Sequence, residues 1–112
     1  MLNDNCLFCK IIKGEIPSAK VYGDEKMLVF KDIAPKANVH MLAVPKTHFA
    51  LLSEAGGEEA PFLAHILEKI PEVAAENGCE KGYRLVINQG GDAGQTVHHL
   101  HVHILGGQTL DW

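Results

Sequence analysis

The chain has 112 residues, 46% hydrophobic and 21% charged, with a formal net charge of −4. That length holds one hydrophobic core, so residues 1–112 are expected to form a single domain, and the composition excludes a disordered, collagen-like or mucin-like chain. The acidic balance argues against a nucleic-acid binder, which would carry a basic stripe, and without a run of about 18 apolar residues no membrane-spanning helix is expected.

Taken in chain order, Leu7 to Lys13 is apolar-rich and stops at Gly14, which predicts a short helix. Pro17 bars its continuation. Lys20 to Tyr22 and Met27 to Lys31 read as a hairpin about the turn Gly23-Asp24-Glu25-Lys26. Val39 to Val44 is a third strand closed by Pro45, with His40, Leu42 and Val44 on one face and Val39, Met41 and Ala43 on the other. After Gly56-Gly57, the spacing of Phe62, Leu63, Ile66, Leu67, Ile70, Val73 and Ala74 predicts a helix from about Glu58 to Glu76, kinked at Pro71. Tyr83 to Asn88 is a fourth strand, Gln89 to Gly94 a glycine-rich loop, and Thr96 to Leu105 the last strand. The expected class is α+β: an antiparallel sheet of about five strands packed on one long helix, with a short N-terminal helix.

Seven residues are histidine, and four of them lie between positions 98 and 103. Histidine titrates near neutral pH and is the commonest metal ligand. On a strand, His99, His101 and His103 share one face, while Leu100, Val102 and Ile104 face the core. Neighbours two apart sit about 6.5–7 Å from each other, so two imidazoles can flank a phosphate-sized group. From the residues alone, both nucleophilic histidine chemistry on a phosphate and a His-ligated catalytic zinc fit this pattern. Cys6 and Cys9 form a C-x-x-C pair open to redox or zinc readings, and Cys79, after Asn77-Gly78, reads as a lone loop thiol. His65 is expected to face solvent. Three cysteines, and an N-terminus (Met1-Leu2-Asn3-Asp4-Asn5) without a signal-peptide pattern, point to a reducing cytoplasm.

His99-Leu100-His101-Val102-His103-Ile104-Leu105 resembles the signature of the histidine triad family. Phe8-Cys9-Lys10-Ile11-Ile12, Phe30-Lys31-Asp32-Ile33-Ala34-Pro35, His40, Val44-Pro45-Lys46, Asn88 and Gly94-Gln95-Thr96 extend the likeness over nearly the whole chain. The nearest branch is the small nucleotide-binding phosphoramidases. The resemblance implies hydrolysis of purine nucleoside 5′-phosphoramidates, of AMP-amine type, by a cytoplasmic homodimer. His101 would be the nucleophile, forming a nucleotidyl-histidine. His103, His40 and His99 would complete the catalytic set. Asn88, Gly94, Gln95 and Thr96 would bind phosphate, and Asp32 the ribose. Leu7, Phe8, Ile11, Phe30 and Ile33 would line the base pocket, and Leu110-Asp111-Trp112 would reach the partner's leaving group. It further implies a structural zinc on Cys6, Cys9, His48 and His99, not required for the chemistry. Dinucleoside polyphosphate hydrolysis and non-catalytic purine nucleotide binding stay open beside this reading.

Overall fold

A computed structural model describes residues 1–112. Its elements are α1 (Leu7–Ile12), β1 (Lys20–Gly23), β2 (Met27–Lys31), β3 (Val39–Pro45), α2 (Ala60–Glu76), β4 (Tyr83–Val86) and β5 (Val102–Gly106), with 3-10 turns at Leu52–Glu54 and Gly91–Ala93. The five strands form one antiparallel sheet in the order β1-β2-β3-β5-β4. This is the expected α+β architecture.

Side-chain alternation divides the sheet into two apolar faces. Met27 and Val29, Met41 and Ala43, and Val102 and Ile104 pack with Ile66, Ile70, Val73 and Ala74 of α2. Those four α2 positions lie on one helical stripe. α2 ends at Asn77, whose amide bonds the Ala74 carbonyl, and Gly78 follows at φ +89°, a conformation that favours glycine. Pro71 lies on the exposed side of this helix, which runs through it as one element. The opposite face of the sheet presents Leu28, Phe30, Leu42 and Val44 to Cys6, Phe8 and Cys9 at α1. His40 and His103 also belong to this second face, since His40 alternates with Met41 and His103 pairs with Leu42.

The last strand departs from expectation. It begins at Val102 instead of Thr96, and residues 97–99 form a bend. Non-local bonds draw this stretch off the sheet: the Leu100 amide donates to the Phe49 carbonyl at 2.7 Å, and His99 Nε2 to the Pro45 carbonyl at 3.0 Å. β4 is likewise shorter, ending at Val86. Cys79 is a free thiol in the loop after α2, as expected, but it is a core residue, 2% exposed and packed with the α2 cluster. No helix is long and apolar enough to cross a membrane.

Candidate active site

His101 is 7% exposed, and its Nδ1 lies 2.7 Å from the His99 carbonyl. A carbonyl only accepts, so Nδ1 carries the proton and Nε2 keeps the lone pair. The His103 ring stands 5.1 Å from that of His101, centroid to centroid. Phe8 of α1 meets the His101 ring edge-on at 5.2 Å and packs against Phe30 at 5.5 Å.

A chain of donors also sets the tautomer of His103. The Lys36 amide donates to His40 Nδ1 at 3.0 Å, so the His40 proton is on Nε2. That Nε2–H donates to His103 Nδ1 at 2.9 Å, with Asp32 Oδ2 alongside at 3.4 Å. His103 therefore holds its own proton on Nε2, the nitrogen facing away from His40. Burial, then the neighbouring His101 and His40, push His103 down to about 4, against the opposing pull of Asp32. Burial also lowers His40. His40 and His103 are therefore neutral at neutral pH, and their donor chain ends beside the His101 ring.

The other expected residues divide. Asp32 sits at the end of β2 and spends Oδ1 on the Ala34 amide. Ile11 packs on the α1 cluster, whereas Leu7 is 46% and Ile33 fully exposed, so these do not form one closed pocket with Phe8 and Phe30. Asn88 Nδ2 donates to the Ala93 carbonyl. The Gly94-Gln95-Thr96 turn, expected to bind phosphate, spends most of its polar groups on partners within the chain. The Gly94 and Gln95 amides are bonded to the Gly91 and Gly90 carbonyls, and buried Gln95 braces the loop through Gly90 and Ala50. Of the three, only the Thr96 amide is without a partner within the chain.

His99 turns its ring elsewhere. It is 0% exposed, and Nδ1 lies 3.3 Å from Cys6 Sγ, 3.4 Å from Cys9 Sγ and 3.3 Å from His48 Nδ1. Cys9 Sγ is 3.5 Å from His48 Nδ1. Its ring thus has no nitrogen left for the face shared by His101 and His103, and only its carbonyl serves that face. A tetrahedral zinc with bonds of about 2.3 Å to sulfur and 2.0–2.1 Å to nitrogen separates S from N by about 3.5 Å and N from N by about 3.4 Å. The four distances above match those edges, and all four ligand atoms lie within 4.8 Å of one another. The Nε2–H of His99 on Pro45 leaves Nδ1 as a lone-pair donor, the usual outer support of a metal-binding histidine. Burial raises the Cys9 thiol and lowers His99 to about 4, so a cation is what would stabilise thiolates in this place. The donor set fits a closed structural zinc site.

Reading the sequence missed some partners. His65 does not simply face solvent; its Nε2 donates to Asp24 Oδ2 at 2.7 Å, joining α2 to the β1–β2 turn. Burial works against the Asp24 carboxylate, but bonds from His65, Tyr22 and the Lys26 and Met27 amides hold it well below the usual range. The Lys36 amide and the Pro45 carbonyl are main-chain groups with no sequence signal. A hollow of about 600 Å³ lies between Gly78–Arg84 and Gly107–Leu110 and contains none of the clustered histidines.

Residues 5–110 match the family model described as "Scavenger mRNA decapping enzyme C-term binding". The chain is 47% identical over 108 residues to a 14 kDa zinc-binding protein of Zea mays, covering 95% of this chain and 84% of that one. Its fold superposes on a histidine triad protein from Clostridium difficile with TM-score 0.94, 44% identity and coverage of 100% and 98%. A HIT family hydrolase from Legionella pneumophila gives TM-score 0.91 at 44% identity, with coverage of 96% and 97%.

Proposed function

Since the chain belongs to the histidine triad family, we propose that it is a cytoplasmic, homodimeric hydrolase of purine nucleoside 5′-phosphoramidates, built as one histidine triad domain over residues 1–112. The observation that carries the reading is the pair of fixed tautomers. His101 Nε2 keeps a lone pair because Nδ1 is committed to the His99 carbonyl, and His103 Nε2 carries a proton because Nδ1 accepts from His40. A nucleophile beside a positioned donor splits one difficult displacement at phosphorus into two easier steps.

In the first step His101 Nε2 attacks the α-phosphorus, the new N–P bond forms, and the bond to the amine breaks. The amine leaves with a proton, and His103 Nε2–H holds a phosphate oxygen or supplies that proton. Water then hydrolyses the nucleotidyl-histidine to the nucleoside monophosphate. Asp32 accepts the ribose hydroxyls, Phe8, Phe30 and Ile11 with Leu7 and Ile33 hold the base, and Asn88 with the Thr96 amide holds the phosphate. Gly94 and Gln95 shape that turn. Cys6, Cys9, His48 and His99 would hold zinc, whose contribution is to cross-link α1 to the segments 45–49 and 97–101. The name of the maize relative supports the zinc, and that of the Legionella structure supports hydrolysis.

Replacement of His101 by Ala is expected to lower turnover of an adenosine 5′-phosphoramidate by at least about three orders of magnitude. A quench of the wild type should show a mass increase of one nucleotidyl group on His101. Hydrolysis by H101A at the wild-type rate would overturn the assignment. Tight purine monophosphate binding by a wild type that does not hydrolyse would favour a binding protein.

A further inference from the structure

His99 belongs to both constellations. Its ring Nδ1 faces Cys6, Cys9 and His48, and its main-chain carbonyl receives the Nδ1–H of His101 at 2.7 Å. That carbonyl lies in the bend at 97–99, outside the ladder of β5, so no strand pairing holds it. What holds it is the His99 ring on Pro45 and the neighbouring Leu100 amide on Phe49. Pro45 and Phe49 flank His48, the second histidine of the cluster. A parallel contact runs through α1. Phe8 lies between Cys6 and Cys9, and its ring meets His99 at 6.0 Å and His101 at 5.2 Å. The groups that aim the nucleophile are therefore carried by the segments that the four ligands tie together.

We propose that His99 is a positioning residue, through which the filled Cys6–Cys9–His48–His99 centre sets the tautomer and aim of His101. Without the ion the chain stays folded, but the 97–101 segment loses its anchor and His101 samples the wrong tautomer. The inference rests on His101 being the nucleophile and adds a control of its rate by metal occupancy. A pocket lined by Cys6 and His48, of about 290 Å³ and open to solvent, gives the ion a route in and out.

The test uses the full chain purified without chelator, the same protein stripped and then reloaded with zinc, and the His48→Gln variant, with metal content measured throughout. The decisive readout is the ¹⁵N-histidine NMR spectrum, in which Nδ1–H and Nε2–H tautomers give separate signals and H101A identifies those of His101. Zinc-loaded protein should show a single Nδ1–H tautomer. Stripped protein and H48Q should show a mixture, with kcat about tenfold or more lower and KM within about twofold, because a small misplacement of a reacting group is costly. Reloading should restore the stripped wild type. Identical His101 signals and kcat in folded protein with and without zinc would overturn the proposal, as would failure of the wild type to bind zinc. Unfolding of both stripped protein and H48Q would make the centre a mere staple and overturn it too. A zinc-dependent tautomer in a protein that does not hydrolyse phosphoramidates would uphold the coupling and overturn only the reaction.

Discussion

Neutral His103 is the residue on which acid sensitivity should first register. Its folded value of about 4, lowered chiefly by burial, lies below the ordinary histidine value of 6.5. The groups facing it are His101, His40, Asp32 and Lys36. Between pH 6.5 and 4 the unfolded chain takes up a proton that folded His103 refuses. Stability is then unpenalised above about pH 6.5 and falls as pH drops toward 4. One withheld proton sets a limit of ~1.4 kcal/mol per pH unit, and solvent screening of the partly exposed ring narrows the pH range over which it applies. Thermal melts from pH 7 to 4.5 should show the His103→Asn variant losing stability less steeply than wild type. Parallel slopes for the two proteins would refute the account. The Nε2 donor of His103 also remains a neutral group across the physiological range, so it can meet a phosphate oxygen without first losing a charge.

Among the elements, the junction of α2, β4 and β5 turns on a glycine. A Cβ at Gly106 would lie 2.6 Å from Cys79 Sγ and 3.2 Å from the Gly82 carbonyl oxygen. Gly106→Ala should therefore cost about 1–3 kcal/mol as overpacking. Cys79→Ala in the same chain should recover part of it, a positive coupling in a double-mutant cycle measured by denaturant unfolding. Additive effects would mean that the sulfur is not what the methyl group meets. Elements differ in how far they were legible in the sequence. Met27–Lys31 could be read from its apolar run and flanking turn, and the sidedness of His40 and Leu42 from alternation alone. The start of β5 could not, because the alternation from His99 to Leu105 passes Val102 without a break, while distant carbonyls at Pro45 and Phe49 draw the stretch before it into a bend. Burial of Cys79 and the His65–Asp24 bond depend equally on partners far along the chain. The triad was visible as a local pattern. The Cys6–Cys9–His48–His99 cluster, drawn from three separate segments, was visible only through family likeness.

At the scale of the molecule, the strand order leaves β4 at one edge of the sheet, paired only with β5. An open edge presents unpaired amides and carbonyls and invites another strand. Leu85 sits on this edge 38% exposed and pairs across to the core residue Ile104, while Tyr83 is 37% exposed. Arg84 stacks over Trp112 at 5.5 Å and bonds the Asp111 carbonyl, which lays the C-terminal residues beside the same edge. A two-fold axis through β4 would pair the strand antiparallel with its own copy, a self-complementary contact that covers both β4 edges and leaves the β1 edges outermost. The homodimer proposed above would then be held partly by Leu85 and Tyr83, with Asp111 and Trp112 of each chain near the partner. Sedimentation should give twice the chain mass for wild type. Leu85→Lys, which puts a charge where the apolar contact forms, should raise the dimer dissociation constant by at least about tenfold, from roughly 1.4 kcal/mol of lost contact. A wild type that sediments as one chain at micromolar concentration, or a variant as tightly dimeric as wild type, would mean that the β4 edge is not the interface.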